Sequence, residues 1–118
     1  LDKKRILIVD DEPRILNFVK VQLQLELYEV LTANDGEQAL AIAGTDKPDM
    51  VLLDVLMVPI GGLEVLEKLR EFSQVPVLIF SRNHRVVEEA MKMGANDYIA
   101  KPLNPDALLK KIRALLPD

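Results

Sequence analysis

The chain has no cysteine and no tryptophan, one histidine, and only three Phe and two Tyr among its 118 residues. Without cysteine there is no disulfide framework, no thiol nucleophile and no zinc site built on thiolates. That composition is compatible with a reducing compartment, and the expected location is cytoplasmic. The lone His84 reads as a solvated loop residue. So few aromatics make no base-stacking platform. Positive charge is also in short supply: 15 Lys and Arg against 19 Asp and Glu leave −4. Phosphate neutralisation needs a basic face, so direct nucleic-acid binding by this domain is not expected. Long apolar runs are missing, because the best candidates are broken by Asp54 or by Gly61 and Gly62, short of the roughly 18 residues that cross a bilayer. The basic start Leu-Asp-Lys-Lys-Arg is followed by only four apolar residues before Asp10, too few for a signal-peptide core. A soluble domain without a membrane partner is expected. Neither GxxxxGK[ST] nor GxGxxG occurs, so nothing points to a nucleotide.

What is present is 49% hydrophobic residues in a length that fits one domain, spanning 1–118, with a core of its own. A first residue of Leu rather than Met points to an excised piece with more chain on one or both sides. Apolar runs at Ile6 to Val9, Met50 to Leu53 and Val75 to Phe80 lack polar alternation, as central parallel strands covered on both faces require. Tyr28 to Thr32 and Tyr98 to Ala100 are more mixed and fit the sheet edges. Helical patterns lie between them. Pro13 suits a first turn, with Ile15, Val19, Leu23 and Leu27 on one face. Asn34 or Asp35 can cap a second helix carrying Ala39, Leu40, Ile42 and Ala43. Gly61 and Gly62 open a third, with Leu63, Leu66 and Leu69 along it. A fourth runs from about Arg85 to Met93 and stops at a left-handed Gly94. Asn104 and Pro105 start the last, with Leu108, Ile112 and Leu115 as its stripe. Strict alternation predicts an α/β fold, (βα)5, with right-handed crossovers. The expected architecture is a doubly wound parallel five-stranded sheet of order 2-1-3-4-5, flavodoxin-like, whose ligands bind beyond the carboxyl ends of its strands.

Those ends carry the chemistry. The first strand delivers Asp10, Asp11 and Glu12, the third Asp54, the fourth Ser81, and the fifth Lys101 and Pro102. Carboxylates gathered there would raise one another's pKa unless a cation neutralised them, and Mg²⁺ suits oxygen donors. Beside such a metal a carboxylate can attack phosphorus, with Lys101 and Ser81 on the phosphoryl oxygens. Each residue alone has an ordinary reading: helix-start acids, a turn aspartate, a solvated lysine. Their meeting at one sheet edge favours a site.

The segments Ile6-Leu-Ile-Val-Asp-Asp-Glu-Pro13, Leu52-Leu-Asp-Val-Leu-Met57, Gly94-Ala-Asn-Asp-Tyr98 and Lys101-Pro102 resemble, in order and spacing, the response-regulator receiver domains, the CheY-like family. The resemblance covers essentially the whole chain. It implies Asp54 as phosphoacceptor, Asp11 as a direct Mg²⁺ ligand, Asp10 as a ligand largely through water, and the Leu56 backbone carbonyl as a further ligand. It also implies Ser81 as hydroxyl switch, Tyr98 as aromatic switch, Lys101 as the phosphate-contacting lysine, and a cis peptide before Pro102. The implied function is two-component signal transduction: a sensor histidine kinase phosphorylates the domain, which is not an enzyme in its own right. The surface of fourth helix, fifth strand and fifth helix then switches to control an output domain or partner protein. Gly94 to Tyr98 and Ile112 to Leu116 look like receivers attached to winged-helix DNA-binding domains, hence transcription regulation. Asp97 and Lys111 are expected to support a weak homodimer through that surface, weakened because Val87 and Ala107 stand where charges are common.

Three departures qualify the resemblance. Val58 precedes Pro59, so that proline comes one residue late; Arg82 follows the switch hydroxyl where a small residue is usual; and Ser81 to Gly94 is about two residues short. Arg82 is expected to obstruct or tune the phosphate pocket. These features motivate an alternative, a phosphorylation-independent interaction module of the same fold. A small Mg²⁺-dependent phosphohydrolase is a third possibility, though no cap for substrate selection is evident.

Overall fold

The computed structural model describes residues 3–55 and 61–117. Five strands and five helices alternate: β1 Arg5–Val9, α1 Pro13–Leu25, β2 Glu29–Ala33, α2 Gly36–Asp46, β3 Met50–Asp54, α3 Gly62–Arg70, β4 Val77–Ser81, α4 His84–Lys92, β5 Asp97–Ala100 and α5 Pro105–Leu115. The strands form one parallel sheet in the order β2-β1-β3-β4-β5, as the alternation predicts.

Strand periodicity divides the core in two. Leu7, Val9, Val51, Leu53, Val77 and Ile79 face a layer built with Ala39, Ala43, Val65, Leu66, Leu69 and Ala90 of α2, α3 and α4. Ile6, Ile8, Met50, Leu52, Leu78 and Phe80 face Val19 and Leu23 of α1 and Leu108, Leu109 and Ile112 of α5. Both faces are covered, which is why β1, β3 and β4 read as unbroken apolar runs. The edge strands β2 and β5 are only partly buried.

The helix starts follow local chemistry. Pro13 opens α1. Asp35, rather than Asn34, caps α2 by accepting from the Gln38 N–H at 2.8 Å, and Gln38 Oε1 accepts from the Asn34 N–H at 2.9 Å. Asn104 caps α5 through the Ala107 N–H at 3.1 Å. α4 is displaced by one residue from the expected span, because Asn83 caps it. Gly94 follows with φ +108°, the left-handed ending expected there. The α1 stripe needs correction: the helix ends at Leu25, and Leu27 stands outside it with φ +68°, exposed. Its four-residue spacing from Leu23 is coincidental, for the chain has already turned towards β2. Among the described residues no helix is long and apolar enough to cross a membrane.

Candidate functional site

The sheet brings Asp10, Asp54 and Lys101 together by parity. Ile8, Leu52 and Ile99 all point into the layer of α1 and α5, so the residues two further on continue towards the same side. The ladder extends past the strands to fix them: the Asp10 N–H donates to the Ala33 carbonyl at 3.1 Å, and the Lys101 N–H to the Ser81 carbonyl at 3.1 Å. Lys101 Nζ donates to Asp54 Oδ2 at 3.2 Å. It lies 3.6 Å from Asp10 Oδ2 and 3.9 Å from Glu12 Oε1, and 5.2 Å from the centre of the Phe80 ring. The Lys101–Pro102 peptide is cis.

Asp10, Asp54 and Ser81 are the buried polar residues among those described. Asp10 Oδ1 accepts from the Glu12 N–H at 2.9 Å. Its Oδ2 is buried and accepts no hydrogen bond among the described residues. Burial pushes the Asp10 carboxyl up from 3.8 to about 6; the Asp54 charge adds to this, while the Glu12 N–H and Lys101 oppose it. One carboxylate oxygen each from Asp10, Asp11 and Asp54 lie within 4.8 Å of one another. A buried oxygen that accepts no hydrogen bond, within an all-oxygen donor set, fits a hard divalent cation such as Mg²⁺, and not a thiolate- or imidazole-seeking one.

Asp54 opens into a cleft of about 190 Å³ that Glu12, Ser81, Arg82 and Lys101 also line. Ser81 has the opposite strand parity from Asp54 and enters from the other side. Its Oγ accepts from the Asn83 N–H at 3.0 Å, and Asn83 Oδ1 accepts from the Arg85 and Val86 N–H groups at 2.9 and 3.4 Å. The hydroxyl is thus joined to the first turn of α4. A larger groove of about 320 Å³, bordered by Lys47, Pro48 and Phe72 to Val75, lies at the opposite, amino-terminal edge of the sheet and gathers no carboxylates.

Tyr98 stands apart from the cleft, 38% exposed on β5, with Lys111 Nζ 5.4 Å from its ring centre. Asp97 and Lys111, expected to serve a contact between chains, pair within one chain at 3.2 Å, and Val87 is buried. Leu56, Met57, Val58 and Pro59 lie outside the described residues. Two contributors escaped the sequence reading: Glu12 as an ion-pair partner of Lys101, and Asn83, whose Ser-x-Asn spacing before a helix was an available capping signal.

The sequence profile of the response regulator receiver domain matches residues 6–113. The chain is 39% identical over 98% of its length to a probable transcriptional regulator ycf27 of Cyanophora paradoxa, covering 49% of that protein. It is 36% identical over 96% of its length to the alkaline phosphatase synthesis transcriptional regulatory protein PhoP of Bacillus subtilis, covering 48% of it. It therefore spans about half the length of the curated relatives it matches. Among solved structures it is similar to the chemotaxis protein CheY4 of Vibrio cholerae, with a TM-score of 0.91 and 34% identity over 98% of this chain and all of that one.

Proposed function

Since the chain belongs to the response regulator receiver domain family, the signalling domains of two-component systems, we propose that it takes a phosphoryl group from a sensor histidine kinase onto Asp54. The observation that carries this reading is the convergence of the buried Asp10 and Asp54 with the half-buried Asp11, beside Lys101. An Oδ atom of Asp54 forms a bond to phosphorus while the bond from phosphorus to the kinase imidazole nitrogen breaks, the electron pair leaving with that nitrogen. Lys101, already on Asp54, turns its ammonium to the phosphoryl oxygens as a point charge. The Ser81 hydroxyl, which accepts from Asn83, keeps its own proton to donate to the same group. Asp10 and Asp11, with Asp54 and the Leu56 carbonyl, would hold Mg²⁺, which supplies charge neutralisation on the transferring group.

The consequence for signalling follows from the same bonds. Drawing Ser81 towards a phosphoryl group on Asp54 would move the acceptor of the Asn83 N–H, and so reach the α4 cap. A shift in the population of α4, β5 and α5 arrangements, with Tyr98 as part of that surface, would pass the state to an output domain or partner. The transcriptional regulators among the relatives support a transcription-regulating whole protein in the cytoplasm. The pairing of Asp97 with Lys111 inside one chain favours at most a weak homodimer through this surface.

Intact-mass spectrometry after incubation with acetyl phosphate tests the acceptor chemistry. One phosphoryl adduct that requires Mg²⁺ is expected; an adduct of equal size on the Asp54→Asn variant would defeat the assignment. Phosphorylation that left partner affinity and α4–α5 chemical shifts unchanged would instead favour a phosphorylation-independent interaction module.

A further inference from the structure

A phosphoryl donor approaching the cleft meets negative charge. Asp54 and Glu12 form part of its wall, and Asp10 and Asp11 converge on Asp54 behind it. Lys101 is shared among three carboxylates at 3.2, 3.6 and 3.9 Å. Four carboxylates and one ammonium sum to about −3, and to about −1 with a divalent cation held, so a dianion is repelled at the mouth.

Arg82 lines the same cleft beside Asp54, Ser81 and Lys101, and it is exposed. Among the described residues it joins no ion pair. Its neighbours fix its place: Ser81 ends β4, and Asn83 both donates to Ser81 Oγ and caps α4, so the one residue between them is held at the rim. Its guanidinium places one positive charge at the rim, where the cleft otherwise presents carboxylates.

We propose that Arg82 is a specificity-determining contact of the site, pairing with the charge of the incoming donor and favouring dianionic phosphoryl donors over monoanionic ones. The inference rests on the reading of Asp54 as acceptor. Arg82 forms and breaks no covalent bond. The O–P bond to Asp54 forms as the bond from phosphorus to the donor's leaving oxygen or nitrogen breaks, and the electron pair departs with the donor.

Two small donors separate charge from geometry: acetyl phosphate, a dianion at neutral pH, and phosphoramidate, a monoanion. Adduct formation on the full chain is followed by intact mass at low ionic strength with saturating Mg²⁺, for the wild type, Arg82→Met, Arg82→Lys and Asp54→Asn. Electrostatic attraction scales with donor charge, so Arg82→Met is expected to lower the second-order rate constant about tenfold with acetyl phosphate and about threefold with phosphoramidate. Arg82→Lys stays within about twofold of the wild type, and added salt narrows every difference. Equal losses with the two donors, unchanged rates, or faster labelling of Arg82→Met would overturn the proposal, the last by showing that Arg82 obstructs the cleft. Failure of the acceptor reading looks different: the wild type takes no adduct from either donor, or Asp54→Asn is labelled as well, and the selectivity proposal falls with it.

Discussion

Replacing Asp10 by asparagine is expected to stabilise the metal-free protein, although the residue is buried and hydrogen-bonded. The carboxyl is fully buried, and its pKa rises from 3.8 to about 6. An acid whose folded-state value lies above its unfolded value holds its proton more tightly in the folded chain. Its contribution favours folding at low pH and is lost as pH rises through about 6. At about 1.4 kcal/mol per unit, the ionised carboxylate costs about 3 kcal/mol above that value. Asparagine keeps an oxygen for the Glu12 N–H and removes the repulsion from Asp54, but forfeits attraction to Lys101, so a net gain of about 1–3 kcal/mol is expected at pH 7.5. The gain shrinks to about half at pH 5 and nearly vanishes at pH 4, where the wild-type carboxyl is protonated in the folded state. Saturating Mg²⁺ is expected to reverse the order, because the variant would lack one of the proposed ligands. Urea unfolding in EDTA at these three pH values, then in Mg²⁺ at pH 7.5, measures each difference. A variant no more stable than the wild type at pH 7.5 in EDTA, or a gain that does not change with pH, would show that the buried Asp10 charge does not limit stability.

If Asp10 holds Mg²⁺ as proposed, its proton competes with the metal, and calorimetry is expected to show binding about tenfold weaker at pH 5 than at pH 7. A flat affinity across that range would contradict it. Two glycines should respond oppositely to alanine. A Cβ at Gly62 would collide with the Asp54 carbonyl and the Val55 backbone, while one at Gly44 meets nothing within 4 Å. Gly62→Ala is therefore expected to cost about 2 kcal/mol or more in urea unfolding, and Gly44→Ala, inside α2, to add about 0.5–1 kcal/mol. Arg70 donates to the Gly94 carbonyl at 2.9 and 3.1 Å, to Asn96 Oδ1 at 3.1 Å and to the Ser73 carbonyl at 3.1 Å. Arg70→Ala should cost about 1–2 kcal/mol and speed amide exchange around Gly94; exchange at the wild-type rate would show that the link is dispensable.

The central strands were legible because burial on both faces writes an unbroken apolar run, and β1, β3 and β4 fall on those runs. Their parity was less visible. Ile8, Leu52 and Ile99 share one layer, so Asp10, Asp54 and Lys101 meet, but a run of aliphatic residues does not say which of them faces which layer. Leu27 shows the weakness of spacing alone: periodicity continues on paper after the backbone has left the helix. The bonds of Arg70 could not be read at all, since a carbonyl acceptor 24 residues away leaves no mark on side-chain identity. The strand-end acids were legible for the opposite reason. Charged side chains ending apolar strands are costly to gather, and their recurrence at one edge marks a candidate site that a single aspartate does not reveal.

The position of the phosphoryl group on the chain decides whether Asp54 is the acceptor. After labelling with acetyl phosphate and Mg²⁺, borohydride reduction converts an aspartyl phosphate to homoserine, and peptide mass spectrometry reads its position. Homoserine at position 54 alone is the expected result; homoserine at position 10 or 11, or a phosphoryl group on Ser81, would contradict the assignment of Asp54 as the acceptor.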